Sequence, residues 1–204
     1  MSVKNKGIPI VVSAPSGCGK DTILAELFKI NDNLAYSVSA TTRAIREGEV
    51  DGVSYHFHTR ESFEKMIADG EVLEYTEYCG NYYGTPKKAV LDMLDEGKDV
   101  ILKIEVEGAM NIKKIFPECV MIFILPPSIN ELDRRLRKRG TETEETIAAR
   151  IAQARNELLF ADKFDFLVVN GDLDKAVNDV NTVILSEKMS SARNLQLLEE
   201  IKNS

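Results

Sequence analysis

The strongest constraint on the fold of this 204-residue chain is a junction near its start. Residues 8–13 (IPIVVS) are an apolar run without polar alternation, the pattern of a strand buried on both faces as in a parallel sheet. The run enters a loop, Ala14-Pro15-Ser16-Gly17-Cys18-Gly19-Lys20, and then a helical pattern with Ile23, Leu24, Leu27 and Phe28 on one face. Gly17 and Gly19 permit backbone angles that turn successive amides toward one point. The helix that follows directs its positive end at the same point, so the junction suits a phosphate, with Lys20 as a mobile ammonium beside it.

Further buried runs at 100–106, 120–125 and 166–169 read as strands, and helical patterns alternate with them. Pro86 and Gly97 bracket a helix carrying Ala89, Val90, Met93 and Leu94. Ser128 and Glu131 have capping-box spacing for a helix ending near Gly140. Ile147, Ile151, Ala154 and Leu158 continue the rhythm, as do Leu173, Val177, Val180 and Ile184. Such alternation implies βαβ units, an α/β fold with a parallel sheet flanked by helices. Residues 36–86 break the pattern with short β-like runs, many Thr, Tyr, Gly and charged residues, and one short helix around Phe63, Met66 and Ile67. The segment is expected to form an inserted lobe on a core of residues 1–35 and 87–204. The tail carries Leu195, Leu198 and Ile201 at helical spacing.

Composition narrows the function classes. The net charge of −7 argues against nonspecific nucleic-acid binding, so phosphate recognition must come from a few placed cations. No apolar run is long enough to span a bilayer, and the N-terminus, with Lys4 and Lys6, lacks a signal-peptide apolar region. Cys18, Cys79 and Cys119 are scattered, with neither metal-ligand spacing nor a disulfide framework. A cytoplasmic protein without a membrane or an obligatory protein partner is expected.

The loop matches the P-loop pattern at its second glycine and its lysine. Ala14 stands where the first glycine belongs, and Asp21 replaces the hydroxyl residue that binds magnesium, with Thr22 one place later. Either Asp21 or Thr22 is a candidate magnesium contact. Residues Ala14 to Thr22 form the candidate ATP-binding set.

The inserted segment contains Ser37-Val-Ser39-Ala-Thr-Thr-Arg43, Arg46-Glu-Gly-Glu-Val-Asp-Gly52, Tyr55-His-Phe57, Glu71-Val-Leu-Glu74-Tyr75 and Gly80-Asn-Tyr-Tyr83-Gly-Thr85-Pro86. Together with the phosphate loop and Arg139-Gly-Thr-Glu-Thr143, this set resembles the guanylate kinase family in order and spacing, from about residue 8 to about residue 185. The resemblance implies a P-loop NTPase core, a GMP-binding lobe at 36–86 and a helical lid at about 128–160. It also implies transfer of the γ-phosphate of ATP to GMP with Mg2+. Arg43, Arg46, Tyr55 and Tyr83 would hold the GMP phosphate, and Ser39, Glu74 and Thr85 would contact the base. A carboxylate suits guanine, which presents N1–H and N2–H₂ as adjacent donors. Nothing visibly reads the 2′-hydroxyl, so dGMP is expected as a second acceptor.

Arg135, Arg139 and Arg150 would close over the transferring phosphate, and Asn170 would contact adenine. Out of context the basic run 134–140 resembles a nucleic-acid patch; the acidic chain and its P-loop favour a lid. Lys103 and Glu105 are expected on one face at the carboxyl end of the strand at 100–106. The family usually has acids at both places and commonly glutamine where Glu107 stands. Glu105 would contact guanine or the magnesium shell. Lys103 would either neutralise phosphate or pair with Asp21. His56 and His58 lack a third ligand nearby and read as strand-surface residues. Two alternatives remain: the same fold with another acceptor, or a guanylate-kinase-like scaffold without catalysis.

Overall fold

In the computed structural model, residues 6–78, 80–138, 140 and 143–204 are described. Lys4, Cys79 and Arg139 lie outside them. The chain begins with β1 (Pro9–Ser13), α1 (Lys20–Ile30), β2 (Leu34–Tyr36), β3 (Ala40–Thr41) and β4 (His56–Phe57). It continues through α2 (Arg60–Ala68), β5 (Val72–Tyr78), β6 (Asn81–Pro86), α3 (Lys87–Asp95), β7 (Asp99–Lys103) and α4 (Val106–Ile115). The last part comprises β8 (Val120–Leu125), α5 (Ile129–Lys138), α6 (Glu144–Leu158), β9 (Phe166–Val169), α7 (Leu173–Lys188) and α8 (Leu195–Lys202). No described helix is long and apolar enough to cross a membrane.

The chain divides into two compact units, Met1–Ser13 with Asn33–Met121, and Ala14–Asp32 with Ile122–Ser204. In the first unit β7 lies between β2 and β1, parallel to both, with Leu34 opposite Asp99 and Val12 opposite Lys103. All five residues of β1 are buried, as an unbroken apolar run predicts for a strand covered on both faces. The helix α4 packs on β1 and α3 packs on β7. Buried Asp99 accepts hydrogen bonds from the Ile8 amide at 3.1 Å and from Asn33 Nδ2 at 3.1 Å, so its charge is not left bare.

The same unit contains a second sheet, in the order β4-β3-β6-β5, whose strands all fall within the segment expected as a lobe. Its core is Phe63 of α2, fully buried and stacked on Tyr82 with ring centroids 5.3 Å apart. The β5–β6 register shifts between Val72 and Tyr75. A bulge of this kind breaks the in–out alternation, and the consecutive residues Leu73 and Glu74 are both buried.

In the second unit β8 pairs in parallel with β9, Ile122 opposite Phe166. The helix α1, with Ile23, Leu24 and Leu27 buried, packs against α7, which buries Ala176, Val177, Val180 and Ile184. The pair α5 and α6 packs through buried Leu132, Leu136, Ile147 and Ala154. Ser128 Oγ accepts from the Glu131 amide at 3.1 Å, as the capping-box spacing predicts. Thr143 and Asp172 cap α6 and α7 in the same way.

One expectation is corrected. The strand expected over 100–106 stops at Lys103, and Glu105 is the N-cap of α4. Lys103 and Glu105 therefore do not share a strand face; Lys103 is half-buried and Glu105 exposed. The apolar run contains both the end of a strand and the first turn of a helix. Both are buried at Val100, Ile101, Leu102, Ile104 and Val106, so hydrophobicity carries no boundary signal there.

Candidate active site

The two units each carry one group of the expected site residues. In the second unit the loop from Ala14 to Lys20 follows a tight path. Gly17 and Gly19 have φ of 90° and 85°, in the left-handed region that a side chain disfavours. Space is lacking as well. A Cβ at Gly17 would lie 2.8 Å from Leu136 Cδ2, and one at Gly19 would lie 2.6 Å from Asn170 Nδ2. Pro15 O accepts from the Cys18 amide at 3.1 Å, closing a turn inside the loop. Gly19 is the N-cap of α1, so Lys20, Asp21 and Thr22 occupy its first turn, where the helix dipole is positive.

Asn170 braces this loop. Its Nδ2 donates to Cys18 O at 2.7 Å, and its own carbonyl accepts from Arg135 at 2.9 Å. Arg135 is held in turn by Glu131 at 2.9 Å, and hydrogen bonds from Arg134 and Arg135 pull the Glu131 carboxyl down to about 2. Arg150 Nη1 donates to Ser16 Oγ at 3.4 Å. An open pocket is lined by Gly17, Gly19, Thr22, Arg135, Lys138 and Asn170. The loop, Arg135 and Arg150, the two described arginines expected of a lid, thus come together. Cys18, in the middle of the loop, is buried, and burial pushes its thiol up to about 12. It is an inert backbone element there, not a nucleophile.

In the first unit the antiparallel pairing of β3 with β6 sets Thr41 opposite Tyr83, and the parallel pairing with β4 sets Ala40 opposite His56. Arg43 and Tyr55 follow and precede these residues, so the sheet gathers Arg43, Tyr55 and Tyr83. The Arg43 guanidinium lies 5.4 Å from the Tyr55 ring, and the two tyrosine rings are 6.1 Å apart. Thr41 Oγ1 donates to Tyr82 O at 2.9 Å and accepts from the Arg43 amide at 3.2 Å, fixing the turn that presents the arginine. Glu49 holds the guanidinium bidentately, at 2.7 and 3.0 Å, and also accepts from the Arg46 amide at 2.8 Å. Burial raises the Tyr55 phenol, and Lys103 opposes that rise. Tyr55 therefore remains a neutral hydroxyl donor.

Glu74 is 6% exposed and accepts from Thr85 Oγ1 at 2.6 Å. Its other oxygen approaches α4 so closely that a Cβ at Gly108 would lie 2.6 Å away. Burial raises the Glu74 carboxyl; the Thr85 hydrogen bond opposes this and nearby Glu107 adds to it. A buried carboxylate in the same unit as the Arg43, Tyr55 and Tyr83 cluster suits a ligand with both paired N–H groups and an anionic group. Ser39 lies between the two strands, its carbonyl accepting from the His56 amide at 2.9 Å. The side chain of Arg46 is exposed, as is that of Glu105. Among the described residues no group of three or more His, Cys, Asp or Glu is arranged to hold a metal ion.

Glu49, Thr41 and Gly108 are absent from the residues picked out of the sequence alone. A glycine in the first turn of a helix is the one local signal for Gly108, since it marks a close approach. Glu49 sits in the same acidic loop as Arg46 and has no distinguishing pattern of its own.

A family model described as "Guanylate kinase" matches residues 6–187. The chain is 53% identical over 93% of its length to the guanylate kinase of Carboxydothermus hydrogenoformans, which it covers to 93%. It is 46% identical over 99% of its length to the guanylate kinase of Caldanaerobacter subterraneus, covering 98% of that protein. The crystal structure of guanylate kinase from Anaplasma phagocytophilum aligns with a TM-score of 0.76 at 33% identity, over 93% of this chain and 90% of that one. With a family model matched over most of its length and relatives of about half identical sequence along nearly the whole chain, the chain belongs to the guanylate kinase family.

Proposed function

We propose that this chain transfers the γ-phosphate of ATP to GMP, and also to dGMP, giving ADP with GDP or dGDP. The observation that carries the reading is Glu74: a buried carboxylate, oriented by Thr85, in the unit that also gathers Arg43, Tyr55 and Tyr83. Guanine offers N1–H and N2–H₂ to its two oxygens, whereas adenine would set a lone pair at N1 against the charge. A site built on such paired hydrogen bonds discriminates by roughly 10⁴ or more. Ser39 and Thr85 complete the base contacts, with Glu105 beside guanine or the magnesium shell, and Arg43, Arg46, Tyr55 and Tyr83 take the acceptor phosphate.

ATP enters with its magnesium as one substrate. The amides of the loop from Ala14 to Gly19 and the Lys20 ammonium would hold the β- and γ-phosphates, Asp21 or Thr22 would hold the magnesium, which would neutralise phosphate charge, and Asn170 would contact adenine. No covalent step on the protein is required. In-line positioning and neutralisation of the equatorial oxygens by Lys20, Arg135, Arg139 and Arg150 carry the rate, a catalytic arginine contributing about 10³–10⁵. The lid at about 128–160 closes over the transferring phosphate and excludes water, which would otherwise hydrolyse ATP. The setting is the cytoplasm, where the buried thiols of Cys18 and Cys119 stay reduced.

The test is ADP release with Mg·ATP and each of GMP, dGMP, AMP, CMP and UMP, with Lys20→Ala as control. Turnover with GMP and dGMP alone, lost in the control, is expected. Turnover with a different acceptor would refute the role of Glu74, and GMP binding without turnover would make the domain a scaffold.

A further inference from the structure

Asn170 follows β9 and stands at the carboxyl end of a parallel strand, where open α/β sheets hold ligands. Three hydrogen bonds tie it to three elements of the same unit. Its amide donates to Leu125 O at the end of β8 at 2.8 Å, and its carbonyl accepts from Arg135 of α5 at 2.9 Å. With its backbone fixed on both sides, its side chain reaches the phosphate loop, where Nδ2 donates to Cys18 O at 2.7 Å. Both residues are buried, Asn170 to 7% and Cys18 to 1% exposure, so water does not compete readily for this bond.

The bond acts on one peptide unit, the one joining Cys18 to Gly19. None of the described peptide bonds is cis. In a trans unit the carbonyl and the following N–H point in opposite directions, so holding Cys18 O toward Asn170 turns the Gly19 N–H away from it. The orientation of this plane depends on ψ of Cys18 and φ of Gly19. Glycine takes positive and negative φ about equally well, so Gly19, at φ 85°, leaves both orientations of the plane open to the bare loop. The Asn170 side chain closes that choice. It also fills the space beside the glycine, since a Cβ at Gly19 would lie 2.6 Å from Asn170 Nδ2. On the other side of Cys18, its amide donates to Pro15 O at 3.1 Å, so the residue is held at both its N–H and its carbonyl.

We propose that Asn170 is a positioning residue for the phosphates of ATP: it locks the Cys18–Gly19 peptide in the orientation that presents the Gly19 N–H to a bound phosphate. The assignment rests on reading the loop as the triphosphate site. It is independent of any contact between Asn170 and adenine, because it acts through the loop backbone and needs no base in the ligand.

The experiment measures binding of Mg·tripolyphosphate, which has no adenine, together with Mg·ATP and GMP, by calorimetry in the parent, Asn170→Leu, Asn170→Asp and Lys20→Ala proteins. Leucine keeps the size of the side chain and removes the donor; aspartate keeps its shape and sets an oxygen against Cys18 O. Both are expected to weaken tripolyphosphate by roughly 10- to 100-fold, the range for leaving one buried acceptor without its partner, and ATP by at least as much. GMP affinity is expected to stay unchanged, because its candidate site belongs to the other compact unit. A loss confined to ATP, with tripolyphosphate unchanged, would limit Asn170 to an adenine contact and overturn the proposal. Equal losses of tripolyphosphate and GMP in both Asn170 variants would make the residue merely structural and overturn it too. Lys20→Ala separates the two levels: if it costs tripolyphosphate affinity while the Asn170 variants do not, only the asparagine assignment fails. If none of the three costs affinity, the reading of the loop as the triphosphate site fails.

Discussion

Burial raises the Glu74 carboxyl because the charged form loses its hydration; the Thr85 hydrogen bond works against this and Glu107 works with it. The folded-state value therefore lies above the unfolded one. The protonated group contributes stability that is complete below the unfolded value and is lost as pH rises through the folded value. Removing the charge should recover that loss: ligand-free Glu74→Gln is expected to melt above the parent at neutral pH, the gap closing on acidification, as followed by calorimetry across a pH series. The same variant should lose GMP affinity by roughly 10- to 100-fold through one mismatched buried hydrogen bond. In the parent, KM for GMP should rise as pH falls through the raised Glu74 value while KM for ATP stays level. Gly108→Ala tests the fit from the other side. Its Cβ would meet Glu74 Oε2 at 2.6 Å, so the carboxylate must shift, and KM for GMP is expected to rise roughly tenfold, equivalent to about 1.4 kcal/mol. Steady-state kinetics with an unchanged KM for ATP would show that the damage is local.

Among the elements, helix ends are where chain chemistry and observed structure agree most closely. Asp172 caps α7 by accepting from the Lys175 amide at 2.8 Å, and α7 packs on α1, which starts at the phosphate loop. Asp172→Ala is expected to cost about 1 kcal/mol and to lower Tm by about 2–4 °C, with little change in KM for either substrate. Thermal melts beside kinetics check both halves of that statement. Caps are legible because they are local: one side chain and an amide three residues on. The bulge in β5 is not, because two chemically ordinary residues, Leu73 and Glu74, are buried side by side only through the register that β6 imposes. The end of β7 is hidden for a related reason, since the core accepts apolar residues from strand and helix alike. Without the structure, Glu74 is one more glutamate in a strand and Gly108 one more glycine.

For the molecule as a whole, the candidate ATP-binding residues and the candidate GMP-binding residues fall in different compact units. Each nucleotide is therefore expected to stabilise its own unit first. In amide hydrogen exchange, GMP alone should slow exchange chiefly within Asn33–Met121, and ADP alone chiefly within Ala14–Asp32 and Ile122–Ser204. Protection spread evenly over both units by either ligand would contradict this. The sequence by itself determined the α/β class, the phosphate loop and most helices, because an unbroken apolar run, a glycine pair before a lysine and a 3.6-residue rhythm act over a few neighbouring residues. Its motif set also identified the family. Only the tertiary structure decided that Glu49 neutralises Arg43, that Asn170 braces Cys18, and that the Lys103 ammonium sits 5.7 Å from the Tyr36 ring centre. These contacts join residues that are distant along the chain or set apart by a loop, and the energy of such a contact depends on a separation that packing sets and local sequence does not encode.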